Sequence, residues 1–252
     1  MKLVGLQFDI QWRDKAANFR LVKETLEERP PDAGSLIVLP EMFATGFDMD
    51  VEAIAEEEGG KTEKFLSELA KCHQSTVVGG VVSKGEDGRG LNQAVAFSAG
   101  GQLLARYTKI KPFTMGGETE VYSAGKDITF LEWNGFKTAL FVCYDLRFPE
   151  LMREATRQGA EIMVFIASWP SARHLHWAKL LQARAIENQC YVVGVNRVGT
   201  DPSFSYVGRS AIINFDGNEL FEAGANQRIL SAPVYRKQLL DYRERLPFLA
   251  DM

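Results

Sequence analysis

Histidine and cysteine are both scarce in this chain. His73, His174 and His176 are its only imidazoles, and Cys72, Cys143 and Cys190 its only thiols. Cysteines with no short paired spacing give neither a disulfide framework nor a zinc site. His174 and His176 stand two residues apart, so on a helix they diverge and make a poor chelating pair. No metal and no cofactor are expected. No apolar run approaches the ~20 residues needed to span a bilayer. The opening MKLVGLQFDIQW has only a brief apolar run before Asp9, which is not the pattern of a signal peptide. A dense basic cluster is lacking too, and the formal net charge is −4, which argues against nucleic acid or a membrane surface as partner. The expectation is a cytoplasmic protein acting on something small.

At 252 residues the chain can bury a large core, and its 46% hydrophobic and 25% charged residues are ordinary for a folded protein. Strand-like and helix-like periodicity alternate along it. Residues 2–8, 35–39, 76–82, 91–97, 102–107, 128–133, 136–142, 161–167 and 190–195 read as strands. Residues 14–28, 63–72 and 149–158 read as helices, and SWPSARHLHW leads into another that ends near 189. Asn134-Gly135 predicts a hairpin between 128–133 and 136–142, and Asp216-Gly217 another between 206–215 and 220–223. Residues 116–125 read as a loop, and the tail 235–252 leaves the pattern. Neither linker nor repeat intervenes, so one α/β domain over 1–252 is expected, with mixed sheets between helical layers.

The stretch FVCYDLRFPE, residues 141–150, is the one around which the rest arranges itself. It puts Cys143 at a strand end beside a helix N-terminus, where free N–H groups and the helix dipole favour a thiolate and a developing oxyanion. An inert core cysteine is the competing reading, and for Cys190, set among apolar residues, core filler is the expectation. Glu41 follows the apolar strand 35–39, where α/β sheets place their chemistry, or where a carboxylate merely caps a turn. Lys109 and Lys111 alternate with Ile110 at the end of another strand, and Glu118 and Glu120 lie in the following loop. Arg184 shares a helix side with Trp177 and Leu181 and is expected to form a structural ion pair with Glu187. A carboxylate to take the thiol proton and an ammonium to hold the resulting charge meet the needs of acyl transfer without histidine. Spacing alone does not show that they converge.

LPEMF, YTKIKPF and CYDLRFPE, in that order, resemble the three signatures of the nitrilase superfamily of carbon–nitrogen hydrolases. The resemblance runs from LVGLQFDIQW to GRSAIINFDG, essentially the whole chain. It implies a single-domain α-β-β-α sandwich and a catalytic set of Glu41, Lys109 and Cys143, with Glu118 rather than Glu120 as the additional glutamate. SAGKD departs from the family's usual ending of that loop. EMFATGF, SWPSARHLHW and ARAIENQCYVVGVNRVG resemble most the ω-amidase-like branch, which hydrolyses terminal amides of small dicarboxylic acids such as 2-oxoglutaramate and 2-oxosuccinamate. On that reading the Tyr144 N–H is an oxyanion donor and Arg173, near Trp169, partners the distal carboxylate. Arg147 is a second candidate for that carboxylate, or else pairs structurally with Glu150. Phe43 and Trp169 are pocket walls or core. Partners are then a small amide, water and a second copy of the chain, the tail 235–252 reaching into a homodimer interface. Rival readings are an N-carbamoyl or deaminated-glutathione amidase of the same superfamily, a binding module that keeps the fold without turnover, and a redox-sensing cysteine.

Overall fold

The computed structural model describes residues 1–252. Two six-stranded mixed sheets pack face to face. The first runs in the order Arg228–Pro233, Lys2–Gln7, Leu36–Val38, Thr76–Lys84, Gly90–Phe97, Leu103–Thr108. The second runs Glu219–Glu222, Ala211–Ile213, Tyr191–Asn196, Ile162–Ala167, Phe136–Val142, Phe130–Trp133. Three neighbouring strands in each are parallel: Lys2–Gln7, Leu36–Val38 and Thr76–Lys84 in one, Phe136–Val142, Ile162–Ala167 and Tyr191–Asn196 in the other. Strands covered on both faces read as continuous apolar runs, and Leu36–Val38 and Ile162–Ala167 are buried throughout.

Period-two alternation divides the side chains between two cores. Leu3, Leu36, Val38 and Val78 face inward and meet Phe141, Phe165 and Val193 of the second sheet. Val4, Leu6, Ile37 and Val77 face outward, under the helices Lys15–Glu28 and Lys61–Cys72. The helices Pro149–Arg157 and His174–Asn188 cover the second sheet. Gly194 lets the latter come close, since a Cβ there would lie 2.5 Å from Leu181 and 2.9 Å from Trp177. The chain is thus the expected α-β-β-α sandwich. Arg184 is buried and pairs with Glu187 at 2.9 Å, as expected.

Three local expectations fail for physical reasons. Residues 116–125 are not all loop: Gly117, at φ +79°, turns the chain into a short helix, Glu118–Val121. The stretch 206–215 is two strands, Ser205–Val207 and Ala211–Ile213, because Gly208 and Arg209 both take left-handed φ between them. The tail forms a helix, Arg236–Arg245, anchored by Arg243 donating to the carbonyls of Gln189 and Ala160. Its apolar positions, Leu239 and Tyr242, are too sparse to announce it in the sequence. No helix is long and apolar enough to cross a membrane.

Candidate active site

Glu41 lies just beyond the strand Leu36–Val38, Lys109 just beyond Leu103–Thr108, and Cys143 just beyond Phe136–Val142. Face-to-face packing of the sheets brings these ends together. Lys109 Nζ is 3.0 Å from Glu41 Oε1 and 2.7 Å from Glu118 Oε2. Glu41 and Glu118 are fully buried, and Lys109 is 1% exposed. Asn92 ties the carboxylates together, its Nδ2 donating to Glu41 Oε1 at 2.7 Å and Glu118 Oε1 at 2.8 Å. The Ser168 N–H donates to Glu41 Oε2 at 2.7 Å, and the Phe113 N–H to Glu118 Oε2 at 2.6 Å. Every carboxylate oxygen therefore has a donor, as buried charge requires.

Two backbone features place these groups. Met42, directly after Glu41, takes a left-handed φ of 44°. Gly80 on the neighbouring strand allows the approach, because a Cβ there would lie 2.4 Å from Met42 N and 2.7 Å from Glu41 Cα. Cys143 itself has φ +47°, a conformation that side-chain-bearing residues enter at a cost of about 1–3 kcal/mol. The next residues form a 3-10 helix, Cys143–Arg147, and not the start of an α-helix. The α-helix begins only at Pro149, as expected, because the residue before a proline is driven out of the α region and Phe148 sits at φ −111°, ψ 85°. Asp145 fixes the elbow by accepting from Val142 N at 2.9 Å, Tyr107 OH at 2.8 Å and Lys111 N at 2.9 Å. Arg184 adds a second clamp through two hydrogen bonds to the Leu146 carbonyl.

The electrostatics reverse one expectation. Cys143 does not rest on an α-helix N-terminus that lowers its pKa. Burial pushes its thiol well above the ordinary value, Glu41 adds to the rise, and Lys109 only partly opposes them. For Lys109 burial works against the charge, but Glu118 and Glu41 outweigh it and hold the ammonium firmly protonated. Asp145 is raised to about 6, chiefly by burial, against its hydrogen bonds and Lys109. The site at rest thus combines a protonated thiol, a charged lysine and a hydrogen-bonded carboxylate pair.

A small cavity opens over Cys143, walled by Phe47, Phe113, Trp169 and Phe204. Tyr144, Arg147 and Arg173 also line it. The Arg147 guanidinium lies 4.8 Å from the Trp169 ring centre, and that of Arg173 lies 5.3 Å from Phe113. The Trp169 backbone is held by Asn196, which accepts from its N–H at 2.7 Å and donates to its carbonyl at 3.0 Å. Phe43 is not a wall. It is fully buried beneath the first sheet with Phe19 and Phe65, because the turn at Met42 sends it to the outer core. Phe47, four residues on, takes the wall position. Arg147 does not pair with Glu150: its Nη2 meets His176, and the cation nearest Glu150 is Lys111 at 4.0 Å. Asn92, Asp145, Ser168 and Asn196 escaped sequence reasoning. For Asn92 the available signal was an amide in a buried strand, which needs a polar partner.

Fold and site together define a hydrolase. The chain belongs to the carbon-nitrogen hydrolase family, whose model matches residues 3–244. It is 34% identical to a 2-oxoglutaramate amidase of Bacillus subtilis, over 98% of this chain and 95% of the relative. With the omega-amidase YafV of Yersinia enterocolitica it shares 38% identity, over 100% of this chain and 96% of that one. Among solved structures, XC1258 of Xanthomonas campestris, described as a CN-hydrolase superfamily protein with an arsenic adduct in its active site, superposes with a TM-score of 0.92. That pair is 33% identical and covers 100% of this chain and 97% of the other. This chain is an amidase acting on linear amides.

Proposed function

We propose that the enzyme removes the terminal amide of a small dicarboxylic acid monoamide, of the 2-oxoglutaramate or 2-oxosuccinamate type, giving the acid and ammonia. One observation carries this reading. Arg147 and Arg173 line a small cavity above Cys143, and no carboxylate of the protein acts on Arg147, whose pKa burial and Arg173 depress. Two guanidinium groups left without an internal counterion are a receptor for an anion. The names of the Bacillus and Yersinia relatives point the same way.

In this scheme Glu41 takes the Cys143 proton as sulfur attacks the amide carbon. The Lys109 ammonium and the Tyr144 N–H receive the tetrahedral oxyanion. Glu41 then delivers its proton to the departing nitrogen, ammonia leaves, and a thioester remains on Cys143. Water, deprotonated by Glu41, releases the acid and restores the thiol. Glu118 keeps Lys109 charged and in place.

The reading includes a homodimer in the cytoplasm. Leu175 and Ile186 on the helix His174–Asn188 are more than half exposed, and so is Phe248 in the tail, so all three leave apolar surface to cover. Exposed, unpaired Cys72 suits a reducing compartment. Ammonia release measured over ω-amides, carbamoyl amino acids and nitriles tests the substrate class. Preference for succinamate over propionamide is expected, and equal kcat/KM for the two would overturn it.

A further inference from the structure

We infer that His176 is a positioning residue for Arg147, holding its guanidinium ready for the distal carboxylate; this rests on the substrate reading above. Arg147 Nη2 lies 3.1 Å from His176 Nδ1. A guanidinium can only donate, so this contact is a hydrogen bond when Nδ1 accepts, in the tautomer that carries its proton on Nε2. The Trp169 ring covers one face of the same guanidinium at 4.8 Å. Arg147 is thus held at one nitrogen and one face, and its other N–H groups are left for a ligand.

Both supports are themselves fixed. His176 lies in the first turn of the helix His174–Asn188, directly before Trp177. Trp177 is fully buried, and its Nε1 donates to the Arg209 carbonyl at 2.9 Å, which pins the helix at that turn. Trp169 Nε1 donates to the Arg173 carbonyl at 2.8 Å, so the ring cannot swing away. A free arginine side chain loses rotamer entropy of about 2 kcal/mol on being fixed, and a ligand that finds it already placed is spared much of that cost. The neutrality of the acceptor matters equally. A carboxylate at position 176 would position Arg147 but also neutralise it and compete with substrate, whereas an imidazole positions it and leaves its charge for the anion. This gives a role to a histidine whose spacing from His174 makes it a poor metal ligand.

The test compares His176→Leu, His176→Gln and Arg147→Ala in the full-length enzyme, with kcat and KM measured for succinamate and propionamide. His176→Leu removes the acceptor at an exposed position, so a folded protein is expected. The expected result is a rise of about three- to tenfold in KM for succinamate, the worth of one ordinary hydrogen bond, with kcat kept. KM for propionamide stays put, and Gln, whose side-chain oxygen can accept, recovers most of the loss. Equal shifts for both substrates, or no shift for succinamate where Arg147→Ala produces one, would overturn the inference alone. If Arg147→Ala itself leaves the two substrates in their original ratio, the inference falls while Arg173 can still carry the carboxylate reading, which fails only if the parent enzyme shows no preference for succinamate.

Discussion

Lys109 Nζ stands closer to Glu118 Oε2, at 2.7 Å, than to Glu41 Oε1, at 3.0 Å. The two carboxylates outnumber the one ammonium, so the resting site carries an excess negative charge and the neighbouring thiol keeps its proton. In the proposed scheme Glu41 takes that proton, and negative charge moves from Glu41 to sulfur and then to the substrate oxygen. The total never changes. On that scheme Glu118 remains the fixed counterion throughout, and Lys109 turns from partner of a base into partner of an oxyanion.

Cys143→Ser is expected to lose at least about a thousandfold in turnover with its circular dichroism unchanged, since a hydroxyl is a far weaker nucleophile. Cys72→Ser, at an exposed position, keeps activity. Loss of turnover in the Cys72 variant would reverse the assignment.

Glu41→Gln and Glu118→Gln are each expected to cost about a hundredfold or more in kcat, the first through the lost base and the second through a less firmly held ammonium. Lys109→Ala belongs with them. Lys111→Ala stays mild, because the Lys111 ammonium meets Glu150 at 4.0 Å and the Phe148 ring at 4.8 Å, and pairs with neither Glu41 nor Glu118. Steady-state kinetics decide the matter, and a Lys111 variant worse than Lys109→Ala would refute the scheme.

Gly80→Ala forces a methyl group against backbone that cannot swing aside, 2.4 Å from Met42 N. Overpacking of this kind costs about 1–3 kcal/mol and here displaces Glu41. A lower urea midpoint together with reduced kcat is expected. Wild-type stability and turnover would show that the strand ends tolerate a shift.

Asp145 ties stability to pH. Its folded value of about 6 exceeds the ordinary 3.8, so between those values the native state holds more protons than the unfolded chain. Its contribution to stability is therefore lowest above pH 6 and grows as pH falls, by up to about 3 kcal/mol. Parent and Asp145→Asn urea midpoints, compared at pH 7 and pH 5, should show the parent gaining relative to the variant on acidification. A relative loss would contradict the sign. The variant also loses one of three acceptor contacts, so its kcat falls at both pH values.

Light scattering at micromolar concentration should give twice the chain mass. Phe248→Ser and Leu175→Ser together are expected to weaken association, and a monomeric parent protein would remove the homodimer from the reading.

Much of this was legible in the sequence because strand ends carry signatures. LPE, YTK and CYD each follow an apolar run, so Glu41, Lys109 and Cys143 could be placed at sheet edges before their meeting was known. What the sequence hid depends on side chains meeting across the two sheets. Asn92 is unremarkable until the carboxylates it bridges are 2.7 and 2.8 Å away. Phe43 reads as a wall in the sequence, and only the left-handed turn at Met42 shows that it goes to the core and Phe47 to the cavity. The helix that begins at Pro149 was legible, but the 3-10 turn Cys143–Arg147 that separates it from the thiol was not, and burial outweighs a local dipole.

The strand Arg228–Pro233, near the end of the chain, closes the first sheet beside Lys2–Gln7. A ribosome therefore releases Glu41 and Lys109 long before the sheet that carries them can be completed, and Cys143 later still. Until residues 228–233 are made, Lys2–Gln7 is left as an open sheet edge. A protein cut short before residue 228 should lack the chemistry even where its motifs are all present.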